Sequence, residues 1–270
     1  MSDRAKTAQS PFRALASEAA VLAGGGTAIL LQLAHPSVVA GVAQHSNFAD
    51  APMRRLWGTL EYVTAAAFGN DAEWRFVRER VNRRHMAVTG TTGTGEPYRA
   101  DDADLQWWVA ATLCWSAIRA HRRVYGRRVV NRHTADRIVR DFGRLGTGLR
   151  LPPETWPATA AEFDRRFAAA LNELHITDEA MRAKRELFAA RNAPLWLRAA
   201  MPYATTLAVD LLPPKIAAAY GHPATRIRRF IAALAWVPLI IAGHLLPPAV
   251  RSLPARCILA RVRRAAAAAG

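Results

Sequence analysis

Cysteine, acidic side chains and two-residue alternation are all scarce in this chain, and each scarcity removes a class of protein. Its two cysteines, Cys114 and Cys257, lie far apart in apolar, helix-like patterns. They supply neither a disulfide framework nor metal-ligand spacing, and the usage fits a reducing, cytoplasmic setting. The stretch Met1–Ser17 is polar and charged, without the apolar core of a secretory signal. No HExxH pair is present, and no carboxylates are spaced to face an apolar interior, so zinc-protease and di-iron chemistry have no support. Gly24-Gly25-Gly26 follows no strand and lacks the GxGxxG spacing of a dinucleotide loop. The one membrane candidate, Phe230–Leu246, is 17 residues long and contains Pro238 and His244. It reads as a buried or interfacial helix that those two residues interrupt, not as a bilayer span.

What the chain does have is positive charge, alanine and helical periodicity. Lysine and arginine number 37 against 21 acidic residues, a net charge of +16. The basic residues are spread along the sequence, with no basic arm, helix-turn-helix signature or aromatic-interleaved RNA motif. That distribution points to a solvated arginine-rich surface and away from nucleic acid. Arginines flank the Phe230–Leu246 stretch (Arg226, Arg228 and Arg229 before it, Arg251 and Arg256 after it). They suit an anionic membrane surface, so peripheral membrane contact is a second expectation.

With 270 residues and 51% hydrophobic content the chain can bury a large core. The alanine content and the absence of strand alternation predict an all-α fold. AILLQLAHP predicts a buried helix ending before Pro36. Pro52 opens a helix through about Phe68, and Asp71 caps another running to about Thr89. Gly90–Arg99 reads as a loop. Asp101 or Asp102 caps a long helix carrying WWVAATLCWSAI, apolar over most of its circumference and therefore central to a bundle. Further helices are predicted near 134–146, 159–173, 178–191, 194–212 and 223–245. The organisation expected is an N-terminal extension (1–17), one helical domain (18–264) and an alanine-rich tail without structure (265–270).

Trp74, Val77, Val81, His85 and Val88 follow helical spacing and share one stripe, so His85 is aimed inward while Arg83 and Arg84 point elsewhere. Periodicity alone gives His85 a packing role. His35 and His45 match no ligand template and read as structural, capping or pocket-polarity residues. Arg55 and Thr59, four residues apart, share one helix face and offer a guanidinium fork beside a hydroxyl.

The ordered segments GGGTAILLQLAHPSVVAGVAQHSNF, PMRRLWGTLEYVTAAAFG, RRHMAVTG and EPYRADDADLQWWVAATL together resemble the MpaB-type oxygenase family. That family is related to the catalytic domain of latex-clearing rubber oxygenases. The likeness runs by motif from about Glu18 to Gly126. It implies a single globin-like multi-helix bundle holding haem b, with His85 as the iron's proximal ligand. Arg55 and Thr59 would then lie on the distal or propionate side of the pocket. Latex-clearing enzymes carry a lysine where this chain has Gly58, and many MpaB-like members read WVHATL where this chain has Ala110.

The reaction implied is oxygenation or oxidative cleavage of an apolar, alkene-containing or isoprenoid substrate with dioxygen. Leu30, Leu33, Val63, Trp107, Trp108, Leu113 and Trp115 are available for an apolar wall or for ordinary core packing. The two departures and the charge leave two alternatives. One is a non-catalytic haem- or lipid-binding helical protein, and the other a basic membrane-associated protein.

Overall fold

The computed structural model describes residues 10–45, 52–191 and 193–269, with the backbone alone over 52–55. Its described residues form fourteen α-helices and one two-stranded hairpin, the all-α architecture expected. Helix α1 (Pro11–Ser17) begins at Ser10, whose hydroxyl accepts the Arg13 amide at 3.3 Å, with Pro11 at the first helical position. A 3-10 turn (Ala19–Gly24) leads into α2 (Gly25–Leu33), which ends ahead of Pro36 as predicted. The glycine run here serves close packing. A Cβ on Gly24 would stand 2.7 Å from the Ser116 carbonyl oxygen, and one on Gly26 2.8 Å from the Ala208 Cβ.

Next come α3 (Pro36–His45), α4 (Pro52–Phe68) and α5 (Asp71–Met86). Asn70, not Asp71, caps α5. Its side chain accepts the Glu73 amide at 2.9 Å while the Glu73 carboxylate accepts the Asn70 amide at 2.9 Å, a reciprocal capping box. α5 also stops three residues short of the expected end. The segment predicted as a loop is instead a hairpin, β1 (Thr89–Thr91) paired antiparallel with β2 (Pro97–Arg99). β-Branched Val88, Thr89, Thr91 and Thr92 favour the extended state, and Gly95 turns the chain with φ +86°. α3 braces this hairpin: the Gln44 amide donates to the Thr91 carbonyl at 2.8 Å, and His45 Nε2–H to the Thr89 carbonyl at 2.7 Å.

Helix α6 (Ala103–Tyr125) starts at Asp102, whose side chain accepts the Asp104 and Leu105 amides. Trp107, Trp108, Ala111, Cys114, Ile118 and Val124 are all buried along it, so it is enclosed on nearly every side. The chain continues with α7 (Arg132–Thr147), α8 (Ala160–Glu173), α9 (Asp178–Ala189), α10 (Leu195–Leu211), α11 (Pro214–Ala219), α12 (Arg226–Leu245), α13 (Pro248–Arg251) and α14 (Leu253–Ala267), of which α7, α10 and α12 pack directly against α6. Phe163, Phe167, Trp108 and Trp115 stack between α6 and α8, with ring centroids 5.2 to 5.7 Å apart.

Three details differ from the sequence pattern. α12 runs through Pro238 without ending, because Trp236, wholly buried two residues earlier, anchors the turn by donating its indole N–H to Asp210 at 2.9 Å. α1, in the expected N-terminal extension, is part of the core, where Phe12 meets Phe142 edge-on at 4.7 Å. α14 continues past Arg264 into the alanine tail. Arg261 on α14 donates to Glu61 at 2.6 Å, a carboxylate also bonded by Arg80, and Arg263 donates to Glu73 at 3.1 Å. The last helix is thereby tied to α4 and α5.

Two histidines are held neutral inside this bundle. Burial pushes His35 below its ordinary value, against the attraction of Asp102. Burial, with Arg251 adding to it, pushes His121 down to about 4. Both groups protonate more readily in the unfolded chain, so protons pull toward unfolding. Stability is expected to be full above about pH 6.5 and to fall as pH drops toward about 4. His121→Gln should flatten that fall in urea titrations taken across the range, and an unchanged slope would refute the assignment.

Candidate active site cavity

Small residues on facing helices leave a gap beside α6. Gly41 on α3, Gly58 on α4 and Ala110 on α6 line a cavity of about 290 Å³. Its walls are mostly apolar, with Val38 and Val42 from α3, Val81 from α5, and Val109 and Leu113 from α6. The hairpin closes one side with Tyr98.

The α5 stripe explains how His85 reaches this cavity. Trp74 and Val77 are buried, whereas Val81 and His85 are half-buried. The stripe therefore leaves the core toward its C-terminal end, and Val81, His85 and Val88 come out on the cavity wall. From α4, Thr59 lines the same cavity, so the structure brings the predicted imidazole and hydroxyl together from two helices. Arg55 sits one turn earlier on α4, and its side chain lies outside the described residues.

Several polar side chains on this wall are held by the scaffold. Tyr62 donates to the Leu145 carbonyl at 2.6 Å, and burial pushes its phenol well above the ordinary value, so it stays protonated. The Gln32 amide donates to Thr112 Oγ1 at 3.1 Å. The Gln106 carbonyl accepts the Arg150 amide at 2.7 Å. These bonds fix the shape of the cavity.

Arg84 is the chief correction. Expected to point away, it is exposed but reaches over the cavity: a Cβ placed on Gly58 would stand 3.8 Å from its Nη1. Its long stem lets the guanidinium turn back over a neighbouring helix, which position on a helical wheel does not reveal. Tyr62 was legible, since it follows Thr59 by three residues on the same face. His45 both braces the hairpin and lines the cavity, while His35 packs 6.4 Å from the Trp108 ring and away from the cavity wall. Of the seven apolar residues considered for a wall, Leu113 lines this cavity. Leu30, Leu33, Trp107 and Trp108 are core. Both departures from the relatives, Gly58 and Ala110, face the cavity.

A bundle of this kind around such a cavity places the chain in a class. It belongs to the family described as "ER-bound oxygenase mpaB/B'/Rubber oxygenase, catalytic domain", which it matches over residues 12–239, and so has the domain of an oxygenase. It is also similar to two uncharacterised proteins, one from Mycobacterium bovis and one from Mycobacterium tuberculosis. Each is 32% identical over 152 residues, covering 55% of this chain and 59% of the relative. The chain thus spans less than two thirds of the length of these relatives. No solved structure matches it.

The cavity makes a contrast between two glycines testable. Gly58→Ala meets nothing closer than the flexible Arg84 guanidinium at 3.8 Å. It should stabilise the protein by about 0.5–1 kcal/mol through helix propensity. Gly90→Ala would set a Cβ 2.7 Å from the Tyr98 hydroxyl and should destabilise. Urea midpoints check both, and a destabilised Gly58→Ala would show that the gap between α4 and α5 is closed.

Proposed function

We propose that this chain is a haem b-dependent oxygenase that uses dioxygen on an apolar, alkene-containing substrate of isoprenoid type, with His85 as the residue that would bind the iron. The observation that carries the reading is the meeting of His85 and Thr59 on one largely apolar cavity, in a member of an oxygenase family.

The donor set suits haem. Among the described residues no group of three or more His, Cys, Asp or Glu is placed to hold a metal ion. The cavity instead presents His85 among aliphatic side chains, which suits a metal whose remaining ligands would come from a macrocycle. The volume of about 290 Å³ is near the lower end of ligand pockets, roughly 300–1,000 Å³. Admission of a porphyrin therefore calls for movement of the cavity wall, part of which is the exposed Arg84.

Haem would supply dioxygen binding and the redox chemistry, and the chain's own residues have defined tasks around it. His85 would supply one imidazole nitrogen to the iron. Arg84, and Arg55 one turn before Thr59, are assigned to carboxylate recognition at the propionates. The Arg84 guanidinium beside Gly58 also returns a cation to the side of the cavity where the latex-clearing enzymes carry lysine. Thr59 contributes a hydroxyl that can donate to an oxygen atom. Val38, Val42, Val109 and Leu113 exclude water and match an alkene's polarity. Cleavage of C=C by dioxygen leaves one oxygen atom on each carbon, so the overall reaction balances without an added reductant.

A second reading rests on Gly58 and Ala110, two side-chain-poor positions on the wall itself: a haem-binding protein without turnover. Protein from haem-supplemented cells should show a Soret band that His85→Ala abolishes, with the melting temperature of the variant otherwise retained. Thr59→Val should keep the band and slow dioxygen consumption on isoprenoid alkenes by roughly tenfold or more. A folded, colourless wild type that takes up no hemin would refute the proposal. A Soret band without dioxygen consumption would establish the second reading.

A further inference from the structure

Helix α12 (Arg226–Leu245) carries an exposed apolar surface. This helix is long and apolar enough, by length and composition, to cross a membrane, yet only 17% of the stretch is buried in the protein. Ala232, Trp236 and Gly243 face the bundle, whereas Ile227, Phe230, Leu234, Ile241 and Leu245 face outward. Exposure reaches 72% at Ile227, 65% at Phe230 and 77% at Leu245. The spacing of these residues is helical, so they form one continuous apolar stripe.

Charge around the stripe selects its partner. Residues 211–270 contain no aspartate or glutamate, and every charged side chain there is lysine or arginine. At 3.6 residues per turn, Arg226 and Arg228 fall on opposite flanks of the stripe. Beside Arg228 lies a cationic cluster: His222 Nδ1 is 2.5 Å from Arg228 Nη1, and His222 Nε2 is 2.8 Å from Lys184 Nζ. Lys184 also donates to the Tyr220 carbonyl at 2.7 Å. Burial and the adjoining cations push Lys184 and His222 below their ordinary values. Among the described residues no carboxylate pairs with Lys184 or Arg228.

We propose that α12 lies in the interface of an anionic lipid bilayer, its outward stripe among the acyl chains and Arg226, Arg228 and Lys184 on the lipid phosphates. The inner face fixes this orientation. Trp236 is wholly buried and bonded to Asp210, and Gly243 lies so close to α6 that a Cβ there would stand 2.7 Å from Val124 Cγ1. The helix cannot enter a bilayer end-on without tearing these contacts from the core. Pairing of two copies through the stripe would press cationic flanks together with no acidic side chain in this region to offset them. A bilayer with anionic headgroups meets both the apolar and the cationic demand.

Co-sedimentation of the full chain with vesicles tests this without reference to haem. The wild type should bind phosphatidylcholine vesicles containing phosphatidylserine, bind vesicles of phosphatidylcholine alone far more weakly, and be released by salt. The double variant Phe230→Ser/Leu234→Ser changes only exposed side chains. It should bind mixed vesicles roughly tenfold or more weakly with an unchanged melting temperature. Equal binding by variant and wild type would overturn the proposal, as would equal binding to both vesicle types. Release only by detergent would mean a spanning helix and would overturn it too. So would a dimer that the double variant splits and that ignores vesicles.

Discussion

The burial of α6 is the constraint on which the rest of the structure depends. A helix apolar over most of its circumference can exist in water only if other helices cover nearly all of it. The glycines of the 3-10 turn and α2 bring those elements against Ser116 and Ala208, and the aromatic stack of α8 closes the opposite flank. One stretch of α6, from Leu105 to Leu113, is not fully covered, because its neighbours there are Gly41 and Gly58 and its own residue is Ala110. The cavity is the space left where small residues meet. His85 enters it because the α5 stripe continues past the edge of the core.

Charge is arranged with the same economy. Two buried carboxylates, Glu61 and Glu73, receive arginines from α14, and Glu73 also closes the capping box of α5. The hairpin is held by hydrogen bonds from Gln44 and His45, and Tyr62 donates to the Leu145 carbonyl. The basic residues are spread along the chain, but no acidic residue follows Asp210, so the net positive charge rises toward the C-terminus. The apolar outer face of α12 lies in that same region.

Helices strongly marked by periodicity or caps were legible in the sequence. Asp102 caps where its side chain suggests, and the enclosure of α6 follows from its composition. The hairpin was not legible, because its two three-residue strands are too short for alternation and depend on long-range bonds from Gln44 and His45. The helix predicted near 223–245 forms as α12 and passes through Pro238, where the burial of Trp236 holds it against the bundle. At the site, helical spacing placed His85 and Thr59, and the ordered motifs gave them a shared meaning. Arg84 escaped because a long flexible side chain is not bound to its position on the wheel.

Under the proposed function, the cavity bounded by α3, α4, α5, α6 and the hairpin would hold iron through His85. Diffraction from hemin-loaded crystals at the iron absorption edge tests it most directly. One dominant anomalous peak is expected inside this cavity, adjacent to the His85 imidazole. A peak elsewhere on the molecule, or a hemin-exposed crystal with no iron in the cavity, would contradict it.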